Sequence, residues 1–246
     1  MKIAAVIPAR YASTRFPGKP LAMLGDKTMI QRVYERVSSV SQISRVIVAT
    51  DDKRIFEHVH SFGGQAVMTN RQHPSGTDRV AEVAVGLVDT DIIVNVQGDE
   101  PFVDPKQIEE LIAPFAREEV NITTLAHRID NEADLFSPNV VKVVTDNHQR
   151  ALYFSRQAIP FLRDVPLGQW LSTRNHYQHL GLYAYRRTTL LELTKLEQSS
   201  LETSESLEQL RWLAAGHSIH LGYTNIRTIG IDTPQDLERA ITELRD

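Results

Sequence analysis

Three cationic side chains lie within ten residues of one another, directly after the first predicted strand. They are Arg10, Arg15 and Lys19. Ligands of open α/β sheets bind beyond the carboxyl ends of the strands, which is where this loop begins. Converging cations at that place suit a ligand with several negative charges, such as a triphosphate, and Gly18 would let the backbone approach it closely. A solvated basic loop is the alternative that these residues leave open.

The same loop lacks both of the common glycine-rich phosphate-binding motifs. It contains no Gly-x-x-x-x-Gly-Lys-Ser/Thr sequence, and no Gly-x-Gly-x-x-Gly sequence follows the strand. These differences argue against a P-loop and against the usual dinucleotide-binding fingerprint.

Two carboxylates stand at predicted element boundaries far apart in the sequence. Asp99 follows a predicted strand, where a metal-binding carboxylate is expected in a nucleotide site, and Asp232 precedes the last predicted helix. We expect both to face one crevice and to share a cation, since two carboxylates brought together would otherwise repel. A Gly-Asp turn and a helix-start carboxylate are the alternatives for the two positions.

A further helix start contains Ser75 and Gly76. A glycine there exposes backbone N–H groups and allows a flat ring or an anion to approach, although a plain N-cap would have the same sequence.

The histidines at 73, 176 and 179 are too sparsely spaced to predict a zinc site without further ligands. On periodicity alone, Glu208 is a solvated helix residue.

The elements that must position these residues alternate between strand and helix up to about residue 121. Such alternation predicts an α/β fold with a mostly parallel central sheet flanked by helices. The later part has fewer intervening helices, which predicts a smaller antiparallel or mixed C-terminal part within a single domain over residues 1–246. The predicted strands are 3–7, 45–50, 66–69, 92–96, 122–126, 140–145, 151–154 and 180–185, with 140–155 as a hairpin turning at 146–147. The predicted helices are 28–40, 51–62, 77–88, 105–117, 206–215 and a last one opened by Thr233 and Pro234.

Composition narrows the function classes. The chain has 246 residues with 27 Lys and Arg against 31 Asp and Glu, for a net charge of -4. This balance argues against non-specific binding of nucleic acid, which needs a basic surface. The lack of cysteine excludes a disulfide framework, a thiolate zinc site and a cysteine nucleophile. No apolar run reaches the ~18 residues of a membrane helix, so we expect no membrane contact and a cytoplasmic location.

Eight ordered sequence blocks, together with the loop 7–20, resemble the sugar-acid cytidylyltransferases. The blocks begin at Val48, Ser75, Asn95, Val141, Ala151, His179, Leu207 and Asp232. The resemblance implies a Rossmann-like, nucleotide-diphospho-sugar transferase-like fold. It also implies a nucleotidyltransferase that transfers CMP from CTP to the anomeric hydroxyl of 3-deoxy-D-manno-octulosonate (Kdo), for lipopolysaccharide biosynthesis. The residues after the Leu207 block and before His179 are less typical, which leaves the exact acceptor open.

The resemblance also assigns roles to individual residues. It implies a CTP site formed by Pro8, Ala9, Arg10, Arg15, Lys19, Ser75, Gly76, Arg79 and Asp99. It implies that Arg10, Lys19, Asp99 and Asp232 are catalytic, with Mg²⁺ held by Asp99 and Asp232. Hydrogen-bond partners for the sugar acid would be Gln97, His179, Tyr183 and Glu208.

Two alternatives to this function remain at the level of sequence. The nearer one is a cytidylyltransferase for another sugar acid, such as 8-amino-Kdo or an acylneuraminate. The farther one is a catalytically silent regulator that binds a sugar nucleotide, which the retained Lys19, Asp99 and Asp232 argue against. The family also implies a homodimer, with contacts near 166–177.

Overall fold

The computed structural model describes residues 1–12, 16–227, 230–231 and 233–243. Arg15 and Asp232, both predicted site residues, lie outside the described residues. The chain divides into two compact units, the first formed by Met1–Glu109, Ala184–Thr194 and Thr228–Asp246, and the second by Glu110–Tyr183 and Lys195–Arg227. The single-domain organisation stays a prediction.

The strands, in chain order, have the following bounds. They are β1 (Ile3–Ala9), β2 (Met23–Leu24), β3 (Lys27–Thr28), β4 (Arg45–Thr50), β5 (Ala66–Met68), β6 (Ile92–Asn95), β7 (Ile122–Arg128), β8 (Lys142–Thr145), β9 (Ala151–Ser155), β10 (Tyr177–Arg186) and β11 (Ile219–Thr224).

The α-helices follow in the same way. They are α1 (Met29–Ser38), α2 (Lys53–Ser61), α3 (Gly76–Gly86), α4 (Pro105–Ile112), α5 (Glu132–Phe136), α6 (Trp170–Thr173), α7 (Arg187–Leu193), α8 (Ser200–Glu205), α9 (Gln209–Ala214) and α10 (Pro234–Glu243). Short 3₁₀ turns cover Lys19–Leu21, Ala113–Ala116 and Leu167–Gln169. None of the helices within the described ranges has the length and apolar content that a membrane span requires.

The first unit is built on parallel strands in the order β6-β1-β4-β5. Every residue of β1 is buried, as expected for a central strand with both faces covered. Parallel pairing brings the carboxyl ends of β1, β4 and β6 to the same edge of the sheet. The predicted α/β fold with a mostly parallel sheet is therefore confirmed.

Side-chain caps set the helix starts in the first unit. Thr28 accepts a hydrogen bond from the N–H of Gln31 at the start of α1, and Asp52 accepts one from the N–H of Arg54 at the start of α2. Each cap accepts a hydrogen bond from an N–H group that has no partner within the helix, and the helix begins one residue after the cap. The predicted helix 105–117 is shorter than expected, because the α-helix ends at Ile112 and a 3₁₀ turn containing Pro114 follows.

The second unit has a mixed sheet. β7 and β11 are parallel, whereas β8 pairs antiparallel with both β9 and β10. The predicted hairpin over β8 and β9 is confirmed, and its turn is fixed by the Asp146 carboxylate, which accepts hydrogen bonds from the N–H groups of His148 and Arg150. The antiparallel or mixed C-terminal part expected from the sequence is thus confirmed, although strand β11, which forms the parallel pair with β7, was not among the predicted strands.

The predicted helix 206–215 is wrong at its start. Ser206 has a φ of 52°, which ends the preceding helix α8 in a left-handed conformation, and α9 begins only at Gln209. Helix α8 itself begins with a capping box formed by Ser199 and Glu202.

Candidate active site

The loop after β1 is closed on itself by a backbone hydrogen bond. The N–H of Gly18 donates to the carbonyl of Tyr11 at 2.9 Å, and Gly18 has a φ of 73°. A Cβ on Gly18 would lie 3.1 Å from the Tyr11 ring, whose other neighbour is the Arg54 guanidinium at 3.3 Å from the ring centroid. Glycine therefore fits both the left-handed backbone and the narrow space beside Tyr11 at the position directly before Lys19.

Lys19 meets Asp99 across the edge of the sheet. Its ammonium lies 2.6 Å from Asp99 Oδ2, and the two side chains are 12% and 34% exposed. The Asp99 carbonyl also accepts a hydrogen bond from the N–H of Ile231 at 3.0 Å. The residue that precedes Asp232 in the sequence is thus hydrogen-bonded to Asp99, and a cation shared by the two carboxylates stays a prediction.

The ends of β1 and β6 and the start of α3 adjoin closely. A Cβ on Gly98 would lie 2.9 Å from the Pro8 carbonyl and 3.6 Å from the Ala9 side chain. A Cβ on Gly76 would lie 3.5 Å from the Pro8 ring and 3.7 Å from Gln97 Oε1. Small residues at these two positions let the three segments form one edge. Gln97, predicted for the sugar acid, lies on this edge in the first unit.

Arg10 is oriented by backbone carbonyls before α3. Its Nη2 donates to the carbonyls of His73 at 2.6 Å and of Ser75 at 3.2 Å. Glu82 holds the same loop, since it accepts from the N–H of Asn70 at 2.9 Å and contacts the His73 ring, which lowers the pKa of the Glu82 carboxyl. The guanidinium is therefore ordered by a loop that is itself anchored to α3.

At the start of α3, the side chains of Ser75 and Arg79 have different surroundings. The Ser75 hydroxyl accepts from the N–H of Asp78 at 3.1 Å, so the N-cap alternative describes its side chain. Arg79 is 0% exposed, contacts the Thr69 hydroxyl and lies 3.4 Å from Asp51 Oδ1. Burial lowers the pKa of Arg79, partly offset by Asp51, and its Nε and Nη2 make no hydrogen bond to the described residues. Direct contact between Arg79 and a base stays a prediction.

Glu100 is a feature of this edge that sequence reasoning missed. Its Oε2 is buried and has no hydrogen-bond partner among the described residues. Burial, followed by the neighbouring Asp99 charge, raises the pKa of Glu100 to about 8. Only its burial distinguishes this carboxyl from an ordinary turn residue, so no sequence signal could have found it.

The second unit brings together the residues predicted for the sugar acid at His179, Tyr183 and Glu208. The His179 and Tyr183 rings have centroids 5.4 Å apart. Burial raises the pKa of Tyr183, and the nearby Glu208 charge adds to the effect. Glu208 is half-buried and stands directly before α9, so it is not the solvated mid-helix residue that periodicity indicated.

Arg156 and Glu205 hold the segment that leads to Glu208. The Glu205 carboxylate accepts from the Ser155 hydroxyl at 2.7 Å and from the N–H of Arg156 at 2.9 Å. The Arg156 side chain donates in return to the Glu205 carbonyl at 2.7 Å. The sequence block beginning at Ala151 thus fixes the end of α8, three residues before Glu208.

The histidines are engaged in ways that do not indicate a metal centre. His176 is buried, stacks on Trp170 and has its ring nitrogens 3.2 Å from the carbonyls of Arg174 and Pro160. Within the described ranges, no three His, Asp or Glu side chains are grouped so that they could hold an ion.

Comparison with known proteins extends over nearly the whole chain. A family model described as Cytidylyltransferase matches residues 4–219. The 3-deoxy-manno-octulosonate cytidylyltransferase of Parabacteroides distasonis is 52% identical, over 99% of this chain and 98% of that protein. The protein of the same name from Trichlorobacter lovleyi is 51% identical, over 98% and 97% of the two chains.

A solved structure gives the same assignment. The structure of CMP:2-keto-3-deoxy-manno-octonic acid synthetase complexed with CTP superimposes with a TM-score of 0.93 at 42% identity, over 100% of this chain and 99% of that chain. The family is established by this identity over the full length of the chain. The first unit of the fold also has Lys19 and Asp99 together at one edge of its sheet. The chain belongs to the cytidylyltransferases, among the 3-deoxy-manno-octulosonate cytidylyltransferases.

Proposed function

We propose that the chain transfers CMP from CTP to the anomeric C2 hydroxyl of Kdo and releases pyrophosphate. The observation that carries this proposal is the Lys19–Asp99 pair at 2.6 Å beyond the carboxyl ends of β1 and β6. It combines a phosphate-binding cation with a metal-binding carboxylate where nucleotide ligands bind in α/β sheets. The names of the relatives supply the nucleotide and the sugar acid.

In the proposed reaction the C2 oxygen attacks the α-phosphorus of CTP, and the bond from this phosphorus to the pyrophosphate oxygen breaks. Such transfers depend mainly on positioning and on neutralising charge. Lys19, with Arg10 and Arg15, would hold the triphosphate and stabilise the charge that develops on pyrophosphate. The two carbonyls that hold Arg10 order its guanidinium before CTP arrives, which lowers the cost of binding.

The proposed reaction also requires Mg²⁺, for which the described residues supply one carboxylate ligand, Asp99. Asp99 offers a hard carboxylate oxygen, and the hydrogen bond from the N–H of Ile231 to its carbonyl supports a role for the next residue in the sequence, Asp232. With two carboxylates as its protein ligands, the ion would take most of its other ligands from substrate phosphates and water. When bound, Mg²⁺ would neutralise phosphate charge and polarise the attacking oxygen. Weak metal binding in the absence of CTP is expected.

The sugar acid would be held by hydrogen bonds from Gln97, His179, Tyr183 and Glu208. In the second unit, the proximity of the His179 and Tyr183 rings supports a common role for these two. The location in the cytoplasm, the homodimer and the part in lipopolysaccharide biosynthesis stay predictions.

Pyrophosphate release with CTP, Mg²⁺ and a panel of sugar acids tests the function. Kdo is expected to give the highest kcat/KM. A preference for 8-amino-Kdo or an acylneuraminate would replace the acceptor but keep the reaction. Binding of CTP without release from any acid would overturn the proposal in favour of a silent regulator.

The same assay tests the choice of nucleotide. CTP is expected to exceed ATP and GTP by roughly a hundredfold in kcat/KM, because a site that hydrogen-bonds one base rejects others. Within the proposal, the base would lie against the start of α3, where Gly76 has Pro8 and Gln97 as its neighbours. Equal turnover with ATP would contradict the role of the Ser75–Arg79 segment in reading the base.

Gly18→Ala tests whether the closed loop positions Lys19. Alanine in the left-handed region costs about 1–2 kcal/mol, which for a chain of this size lowers Tm by about 2–8 °C. Contact with Tyr11 should also displace Lys19 and lower kcat/KM for CTP.

Gly63→Ala is the matched control for the loop variant. Gly63 has a φ of 81°, and its added Cβ would meet no atom within 4 Å. We expect a similar loss of Tm with unchanged kcat/KM. If the two variants were equally active, the shape of the Tyr11–Gly18 loop would not matter for catalysis.

A further inference from the structure

Thr124 in β7 is a buried hydroxyl to which neither the sequence nor the family assignment gives a role. It is 0% exposed. Its Oγ1 lies 2.8 Å from the Leu182 carbonyl, 3.1 Å from the Leu180 carbonyl and 2.9 Å from Nε2 of His179. The Tyr183 side chain also interacts with this hydroxyl, which thus stands among two carbonyl oxygens, one ring nitrogen and one phenol group.

The number of protons decides the direction of these hydrogen bonds. A threonine hydroxyl has one proton to donate and lone pairs with which to accept. An oxygen–oxygen separation of 2.8 Å is repulsive unless a hydrogen lies between the atoms, and the Leu182 carbonyl has none to donate, so the proton of Thr124 goes to this carbonyl. The contact with His179 is then satisfied only if Nε2 carries a hydrogen and donates it to Oγ1.

The surroundings keep His179 neutral and hold its plane. Burial lowers the pKa of His179 to about 3. The Phe154 ring meets the imidazole edge-on at 4.9 Å between centroids, and Tyr183 lies at 5.4 Å. A neutral imidazole with its hydrogen on Nε2 has a bare lone pair on Nδ1.

We propose that Thr124 is a positioning residue that fixes His179 as the Nε2–H tautomer, so that Nδ1 accepts a hydrogen bond from a hydroxyl of the sugar acid. The role of Nδ1 rests on the proposed function, whereas the tautomer does not. It follows that Nδ1 of His179 can accept a hydrogen bond from a hydroxyl of the sugar acid. It carries no hydrogen that it could donate to the carboxylate of the sugar acid.

The tautomer can be read directly in the full chain without ligand, by NMR of protein carrying ¹⁵N-labelled histidine. The His179 signals, assigned by their loss in His179→Gln, are expected to show a hydrogen on Nε2 and none on Nδ1 from pH 6 to 8. A hydrogen on Nδ1, or a ring that is protonated across this range, would overturn the proposal.

Kinetics with a matched set of variants test the consequence. Thr124→Val keeps the shape of the side chain but removes the hydroxyl, and it should raise KM for Kdo roughly tenfold, the value of about one hydrogen bond, with KM for CTP unchanged. Thr124→Ser should restore both the tautomer and KM. Failure of serine to rescue a folded, active protein would contradict the hydroxyl's role.

Thr123→Val is the control within the same strand. Thr123 is equally buried and its hydroxyl donates to the Leu111 carbonyl at 2.8 Å, and it makes no hydrogen bond to a histidine among the described residues. It should affect stability but not the His179 tautomer or KM for Kdo. If no sugar acid is turned over while the Nε2–H tautomer is found, the proposed function fails and the role of Thr124 in setting the tautomer stands.

Discussion

Replacing Asp99 by Asn is expected to lower the rate of CMP transfer by about a thousandfold, because it removes charge where the metal is proposed to bind. The amide keeps the size of the side chain and can still accept a hydrogen bond from Lys19. The concentration of Mg²⁺ that gives half-maximal activity should rise in the same variant. Asp232→Asn is expected to behave alike, since the two carboxylates are proposed to share the ion.

Stability separates this effect from damage to the fold. If Asp99 and Asp232 repelled each other without a counter-charge, removing one of them would stabilise the protein. Asp99 instead has Lys19 as its counter-charge, so we expect no gain and a change in Tm of less than about 4 °C, equivalent to about 1 kcal/mol in a chain of this size.

Asp89→Asn is a matched control for the carboxylate. Asp89 also faces a lysine, with Lys2 Nζ at 3.3 Å, but it stands three residues before β6 begins and is therefore at the strand's other end. We expect full activity from it. Full activity in Asp99→Asn would refute a metal-binding role for this carboxylate.

The sequence predicted the parallel strands of the first unit well because their signal is local. A strand such as β4 is a short apolar run, and its observed bounds Arg45–Thr50 agree with the predicted ones. The loops that follow such strands must lie at one edge of a parallel sheet, so the general position of Lys19 and Asp99 could also be predicted. Their direct contact could not, because 80 residues separate them in sequence.

The elements that were missed are short or depend on long-range pairing. Strand β11 has only six residues, with Gly222, a weak strand former, in its second half, and it is stabilised by parallel pairing with β7. Helix α8 has only six residues and owes its start to a capping box. In the same way, Thr124 carries no sequence signal, because its neighbours Leu180 and Leu182 are brought to it only by the fold.

Lys19→Ala should lower kcat/KM for CTP by about a hundredfold to a thousandfold, the usual loss on removing one group that stabilises developing charge. Lys19 is nearly enclosed and meets Asp99 as a point charge, whereas arginine presents a wide planar fork. Lys19→Arg is therefore expected not to restore the rate. Lys27→Ala, which removes a lysine from an exposed pair with Glu35 at 2.6 Å, should leave the rate unchanged.

The double variant Lys19→Ala with Asp99→Asn shows whether the two side chains work together. If Lys19 holds the phosphates while the carboxylate serves the metal on the same phosphates, removing the second group after the first costs much less than removing it alone. The losses in kcat/KM should therefore fall well short of their product. If the loss in the double variant equals the product of the two single losses, the ion pair at 2.6 Å joins two groups that act independently. Near-full activity in Lys19→Ala would mean that the loop after β1 has only a structural role.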